Sequence, residues 1–134
     1  MHKKGSPKNM QNKPVYNDII KEIKLFFKTQ LSQIKKIKGN TNNIILDPGF
    51  GFGKTLEHNY QILNNLQEFI TLGKPILVGI LRKSIINKLL HIRPEQALNG
   101  TTVLNTISLI KGANILRVHD VKEAVEAVKI VGML

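Results

Sequence analysis

An α/β fold built on parallel strands is what this sequence predicts, and three observations predict it. Short apolar, β-branched runs at residues 44–46, 76–80 and 114–118 alternate with longer segments of helical periodicity. Each run ends in charged or hydrogen-bonding groups: Asp47, then Arg82-Lys83-Ser84, then Arg117-Val118-His119-Asp120. Parallel α/β proteins keep their chemistry just past the C-terminal ends of their strands, so the repeated layout points to an enzyme.

The elements follow in order. Residues 1–13 are polar and contain Gly5 and Pro7, which predicts a loop. From 14 to 38, Val15, Ile19, Ile23, Phe26, Phe27, Leu31 and Ile34 recur at helical spacing with lysines between them. Residues 39–43 are turn material, and the first strand follows at 44–46. A second helix is predicted over 56–72, with Tyr60, Leu63, Leu66, Phe69 and Ile70 on its apolar side and Gly73 ending it. After the strand at 76–80 comes a short helix at 83–90. Pro94 opens another helix that runs to about 111 and closes at Gly112. The strand at 114–118 leads to Asp120, which with Glu123 makes an Asp-x-x-Glu capping pattern for the last helix.

Three parallel strands with four to five helices leave two sheet edges unpaired and one face thinly covered. A closed (β/α)8 barrel takes about 250 residues, and this chain has 134. The expectation is therefore the C-terminal part of a TIM (β/α)8 barrel: residues 1–134 form a partial domain whose N-terminal strands are missing. Two copies supply only six strands, so self-association does not rebuild eight. The 134 residues alone are expected to be inactive and marginally folded.

Composition narrows the classes further. There is no cysteine, which removes disulfide and thiolate chemistry and suits a reducing compartment. No apolar run approaches the length of a membrane span, and Met1-His2-Lys3-Lys4-Gly5-Ser6-Pro7 lacks a signal-peptide core, so a cytoplasmic protein is expected. The net charge of +11 is concentrated in residues 1–38, which hold ten lysines and two acids; the rest holds ten Lys/Arg and seven acids. Lys, Asn and Ile make up 48 of 134 residues, only three cations are Arg, and there is no Trp. An A/T-rich coding composition accounts for such a lysine excess, and little aromatic material is interleaved for base stacking. No nucleic-acid partner is expected.

The segment Asp-Pro-Gly-Phe-Gly-Phe-Gly-Lys-Thr at 47–55 comes near a phosphate-binding P-loop. Counting back from Gly53-Lys54-Thr55, however, places Pro48 where that motif needs its first glycine. Proline fixes φ and lacks an N–H, and a strand-terminal aspartate is foreign to the motif.

Taken together, residues 47–55, Arg82-Lys83-Ser84, Gly100-Thr101-Thr102 and Arg117-Val118-His119-Asp120 resemble dihydropteroate synthase in spacing and order over essentially the whole chain. Met1-His2, Gly5, Pro7 and Met10-Gln11 resemble the loop after that family's fifth strand. The resemblance implies a folate-pathway barrel that joins para-aminobenzoate to 6-hydroxymethyl-7,8-dihydropterin diphosphate, giving dihydropteroate and pyrophosphate. It implies pterin binding by Asp47, Lys83, Met1 and Gly79. It implies aminobenzoate binding by Phe52, Lys83 and Ser84, and diphosphate binding by Arg117 and His119, with Lys83, Arg117 and His119 as the catalytic group. The chemistry suits the residue types. A carboxylate offers two acceptors to adjacent N–H donors of a guanidine-like edge, and alternation along 117–119 puts Arg117 and His119 on one face.

A Mg2+ cofactor is implied, with its main ligand in the part of the family's fold that precedes this stretch and no ligand here. A homodimer is implied for the full-length enzyme. Leu81 departs from the family, which commonly has serine there, and Lys3 and Lys4 stand where apolar or amide residues are more usual. Two other classes compete. A pterin-binding methyltransferase barrel of the methyltetrahydrofolate:corrinoid type shares the strand-end acid but not the diphosphate pocket. A non-catalytic remnant of a split gene binds nothing, or pairs with a separate N-terminal chain.

Overall fold

A computed structural model describes residues 1–4, 14–80 and 84–134. Its elements run α1 (Ile19–Lys38), α2 (Leu56–Asn64), a 3-10 turn (Leu66–Leu72), β1 (Leu77–Val78), α3 (Ser84–Leu90), a 3-10 turn (Pro94–Gln96), α4 (Leu98–Ile110), β2 (Ile115–Leu116) and α5 (Val121–Val131). The described residues form a helix-rich α/β structure with two parallel strands, paired Leu77 to Ile115 and Val78 to Leu116.

The expected strand at 44–46 is reduced to a single parallel bridge, Leu46 to Ile76. Leu46 donates to the Pro75 carbonyl at 2.9 Å and accepts from Leu77 N–H at 2.8 Å. Pro75 has no N–H to give back, so the ladder cannot extend toward the start of the run. Beyond it, Asp47 accepts from His2 N–H at 2.8 Å. The order across the strand ends is thus residues 1–4, the 46–47 segment, β1, β2.

Helix α1 starts at Ile19, five residues after the predicted start at Pro14, where Asp18 caps it, its carboxylate accepting from Lys21 N–H at 3.1 Å. Gly39 ends it in the left-handed conformation. Ile19, Ile23 and Phe27 face inward and meet Leu46, Phe50, Phe69, Ile76 and Val78 in one core. Phe27 packs edge-on against Phe69, with centroids 5.9 Å apart.

The helix predicted over 56–72 is broken at Asn65. Its side-chain amide donates to the Gln61 carbonyl at 2.8 Å, competing with the main-chain ladder, and the chain continues as a 3-10 turn. At α5, Asp120 takes the cap position but makes no side-chain cap bond, so the expected Asp-x-x-Glu box does not form.

Candidate functional site

The glycine segment at 47–55 is shaped by what lies beneath it. Asp47 is half-buried and its carboxylate accepts from Gly49 N–H at 2.8 Å, which turns the chain sharply after the strand-like run. Gly49 has φ 73° and Gly53 φ 64°, where a side chain would collide with the carbonyl oxygens of His2 and Lys4 respectively. These glycines are required because the backbone of residues 1–4 runs directly against them.

Three further side chains fix the loop. Lys54 is 4% exposed, and its ammonium donates to the carbonyls of Gly49 (2.8 Å), Phe52 (3.0 Å) and His2 (3.4 Å). Buried Asn59 accepts from Gly51 N–H at 2.7 Å, and Tyr16 donates its hydroxyl to the Gly53 carbonyl at 2.9 Å. Thr55 and His58 cap α2 reciprocally, each backbone N–H meeting the other's side chain at 3.2 Å. Sequence reasoning misses Lys54, Asn59 and Tyr16 as site residues. The Gly53-Lys54-Thr55 triplet is the available signal, but spacing does not tell whether a lysine turns out to a ligand or in to carbonyls.

His2 is 7% exposed, packed edge-on to Phe26 at 5.2 Å and beside Tyr16 at 6.2 Å. Burial, then the nearby Lys54 ammonium, pushes its ring down to about 4, so it is neutral at pH 7. Burial raises the Tyr16 hydroxyl to about 12, which leaves it a hydrogen-bond donor throughout the neutral range. Met1 lies against the Gly49 turn, next to Asp47.

At the other strand ends, Arg117 N–H donates to the Val78 carbonyl at 2.9 Å, continuing the β1–β2 pairing by one residue. Its guanidinium then crosses Gly79. A methyl group on Gly79 would sit 3.1 Å from Arg117 Nε and Nη2. Arg117 and His119 are both exposed and Val118 is half-buried, as the predicted alternation requires.

Asp47, Gly79, Arg117 and His119 therefore lie just past the C-terminal ends of neighbouring parallel segments, with Met1 against the Gly49 turn and Phe52, half-buried, on the adjoining loop. Leu81, Arg82, Lys83, the Ser84 side chain and Gly5, Pro7, Met10 and Gln11 lie outside the described residues. A separate open groove of about 820 Å3, between α2, α3 and α4, is lined by Tyr60, Leu63, Leu89, Leu104, Ile107 and Lys111. Among the described residues none of the predicted site residues borders it.

An acid and a guanidinium at the ends of neighbouring parallel segments, with an aromatic ring on the adjoining loop, are groups that suit a flat, N–H-bearing heterocycle with an anionic arm. The family of pterin binding enzymes matches residues 1–119, and the chain belongs to it. Similar curated proteins include dihydropteroate synthases. The one from Escherichia coli strain K12 is 44% identical over 131 residues, which cover 98% of this chain and 46% of the relative. The crystal structure of the Yersinia pestis dihydropteroate synthase in a sulfonamide drug complex matches with TM-score 0.96 and 45% identity, over 98% of this chain and 48% of that one. The Thermus thermophilus enzyme in complex with 4-aminobenzoate matches with TM-score 0.87 and 37% identity, over 96% and 52%. The chain spans about half the length of the curated relatives it matches.

Proposed function

We propose that this chain is the C-terminal part of a dihydropteroate synthase barrel, residues 1–134 forming its last three βα segments, and that it supplies one side of that enzyme's active site. The observation that carries the proposal is the Arg117 guanidinium laid across Gly79, two parallel segments from the half-buried Asp47. That spacing suits a substrate with a hydrogen-bonding ring at one end and a diphosphate at the other. In support, the Thermus thermophilus relative has been crystallised with 4-aminobenzoate and with 6HMPPP.

In the proposed reaction, the bond between the pterin methylene carbon and the diphosphate oxygen breaks, and the electron pair leaves with pyrophosphate. Arg117 and His119 meet the charge that develops on the leaving oxygen, where fixed donors lower the barrier most. Asp47 accepts N–H groups of the pterin edge and holds the methylene in place. Gly79 keeps the space open, and Met1 covers the ring from the side of residues 1–4. Phe52, Lys83 and Ser84 orient the aminobenzoate amine, which attacks the methylene carbon and loses one proton.

The proposal includes Mg2+ on the diphosphate. By the family resemblance its main ligand belongs to the part of the fold outside this stretch, and no step above runs through it. A cytoplasmic location and a homodimer of the complete enzyme belong to the same proposal. Among the described residues no helix is long and apolar enough to cross a membrane.

The test uses the complete polypeptide that carries this segment, supplied with both substrates. Dihydropteroate and pyrophosphate should form in equal amounts, and Arg117→Ala should lower kcat/KM by about 100-fold or more, the range found for lost oxyanion donors. No dihydropteroate from the unaltered polypeptide would remove the reaction; an unchanged rate in the variant would remove the anion pocket.

A further inference from the structure

We propose that Lys54 is a positioning residue, whose buried ammonium locks the glycine loop so that Phe52 stands at the mouth of the aminobenzoate pocket. This rests on the function proposed above and names the group that sets the second substrate's side of the site.

The geometry carries the inference. An alkylammonium has three N–H donors, and Lys54 aims them at three carbonyls: Gly49 at 2.8 Å, Phe52 at 3.0 Å and His2 at 3.4 Å. Two of these belong to the loop itself and one to the neighbouring segment, so a single cation ties the loop to the strand-end chain beside it. The loop needs such a tie. Gly49, Gly51 and Gly53 all take positive φ, and a backbone so rich in glycine has many conformations open to it.

Asp47 depends less on this tie. Its main chain follows Leu46, whose bonds to Pro75 and Leu77 fix the strand-like run, and its own main-chain carbonyl accepts from His2 N–H; only its carboxylate, through Gly49 N–H, touches the loop. Loss of Lys54 therefore loosens Phe52 more than Asp47, and the two substrates should feel it unequally. A lysine turned inward onto carbonyls also explains why the Gly53-Lys54-Thr55 triplet does not serve an anion: the oxygens that it gathers would repel one. Arginine is no substitute, because its planar fork cannot reach three converging acceptors.

The experiment compares the complete polypeptide with its Lys54→Met variant. KM for aminobenzoate should rise about tenfold, while the dissociation constant for the pterin diphosphate changes less than threefold. Amide hydrogen exchange at Gly51 and Phe52 should speed up by a similar factor. Equal weakening for both substrates, or an unchanged aminobenzoate KM, would overturn the assignment.

Where the variant does not fold, the unaltered polypeptide decides. Reductive methylation under native conditions should spare Lys54 while exposed lysines react, and modification at the exposed rate would sink the idea. If the unaltered polypeptide makes no dihydropteroate, the proposed function fails by itself. Loop exchange and methylation then still report on Lys54.

Discussion

Gly79 lets the Arg117 guanidinium lie across the end of β1. A methyl group there would press on the Arg117 guanidinium at 3.1 Å, and the flexible end of the arginine, not the strand, would give way. Gly79→Ala should therefore leave the melting temperature within a few degrees of the original. It should weaken pyrophosphate binding several-fold, read by titration calorimetry on the complete polypeptide; unchanged binding would show that the guanidinium's place does not matter.

His2 makes a second residue-scale prediction. Its folded ring resists protonation down to about 4, whereas the unfolded chain takes the proton near 6.5. The unfolded state then binds more protons between these values, so the stabilisation is complete above pH 6.5 and is lost as pH falls toward 4. The full change would carry about 3 kcal/mol, and screening by water around the partly solvated ring cuts this to on the order of 2 kcal/mol. Thermal melts of His2→Phe should lack that part of the acid sensitivity, and parallel profiles for the two proteins would refute it.

At the scale of elements, caps and breaks decide where helices begin. Helix α1 rests on Asp18, and removing its carboxylate in Asp18→Ala should cost about 1 kcal/mol, seen as a lower urea midpoint. The break after α2 was not legible, because nothing in the apolar spacing of 56–72 marks it. It comes from Asn65 turning its amide onto Gln61, a local bond that periodicity cannot register. The strand at 44–46 was legible as an apolar run, but its extent was not. Pro75 on the facing segment limits it to one bridge, and only pairing in space reveals the neighbour. The Asp120–Glu123 cap failed for a similar reason: a fitting pattern does not orient the side chain.

At the scale of the whole molecule, the two strands among the described residues make too small a sheet to close on itself, and apolar side chains remain exposed on the outer helices. Val121, Val125, Val128 and Ile130 of α5 are exposed, as are Leu89 and Leu90 of α3. Residues 1–134 expressed alone should therefore bind an apolar dye and form no dihydropteroate. Steady product formation by that pure segment would overturn the assignment to part of a larger barrel.

The sequence by itself determined the α/β alternation, the strand-end placement of Asp47, Arg117 and His119, and the family, because apolar periodicity and ordered motifs are local properties of the chain. The tertiary structure decided what those motifs rest on. It turned Lys54 inward onto three carbonyls, laid Arg117 over Gly79, and set Gly49 and Gly53 against the backbone of residues 1–4. Most of these contacts join residues far apart in the chain. Their partners become neighbours only once parallel segments pair and the core closes, and no spacing along the sequence records that distance.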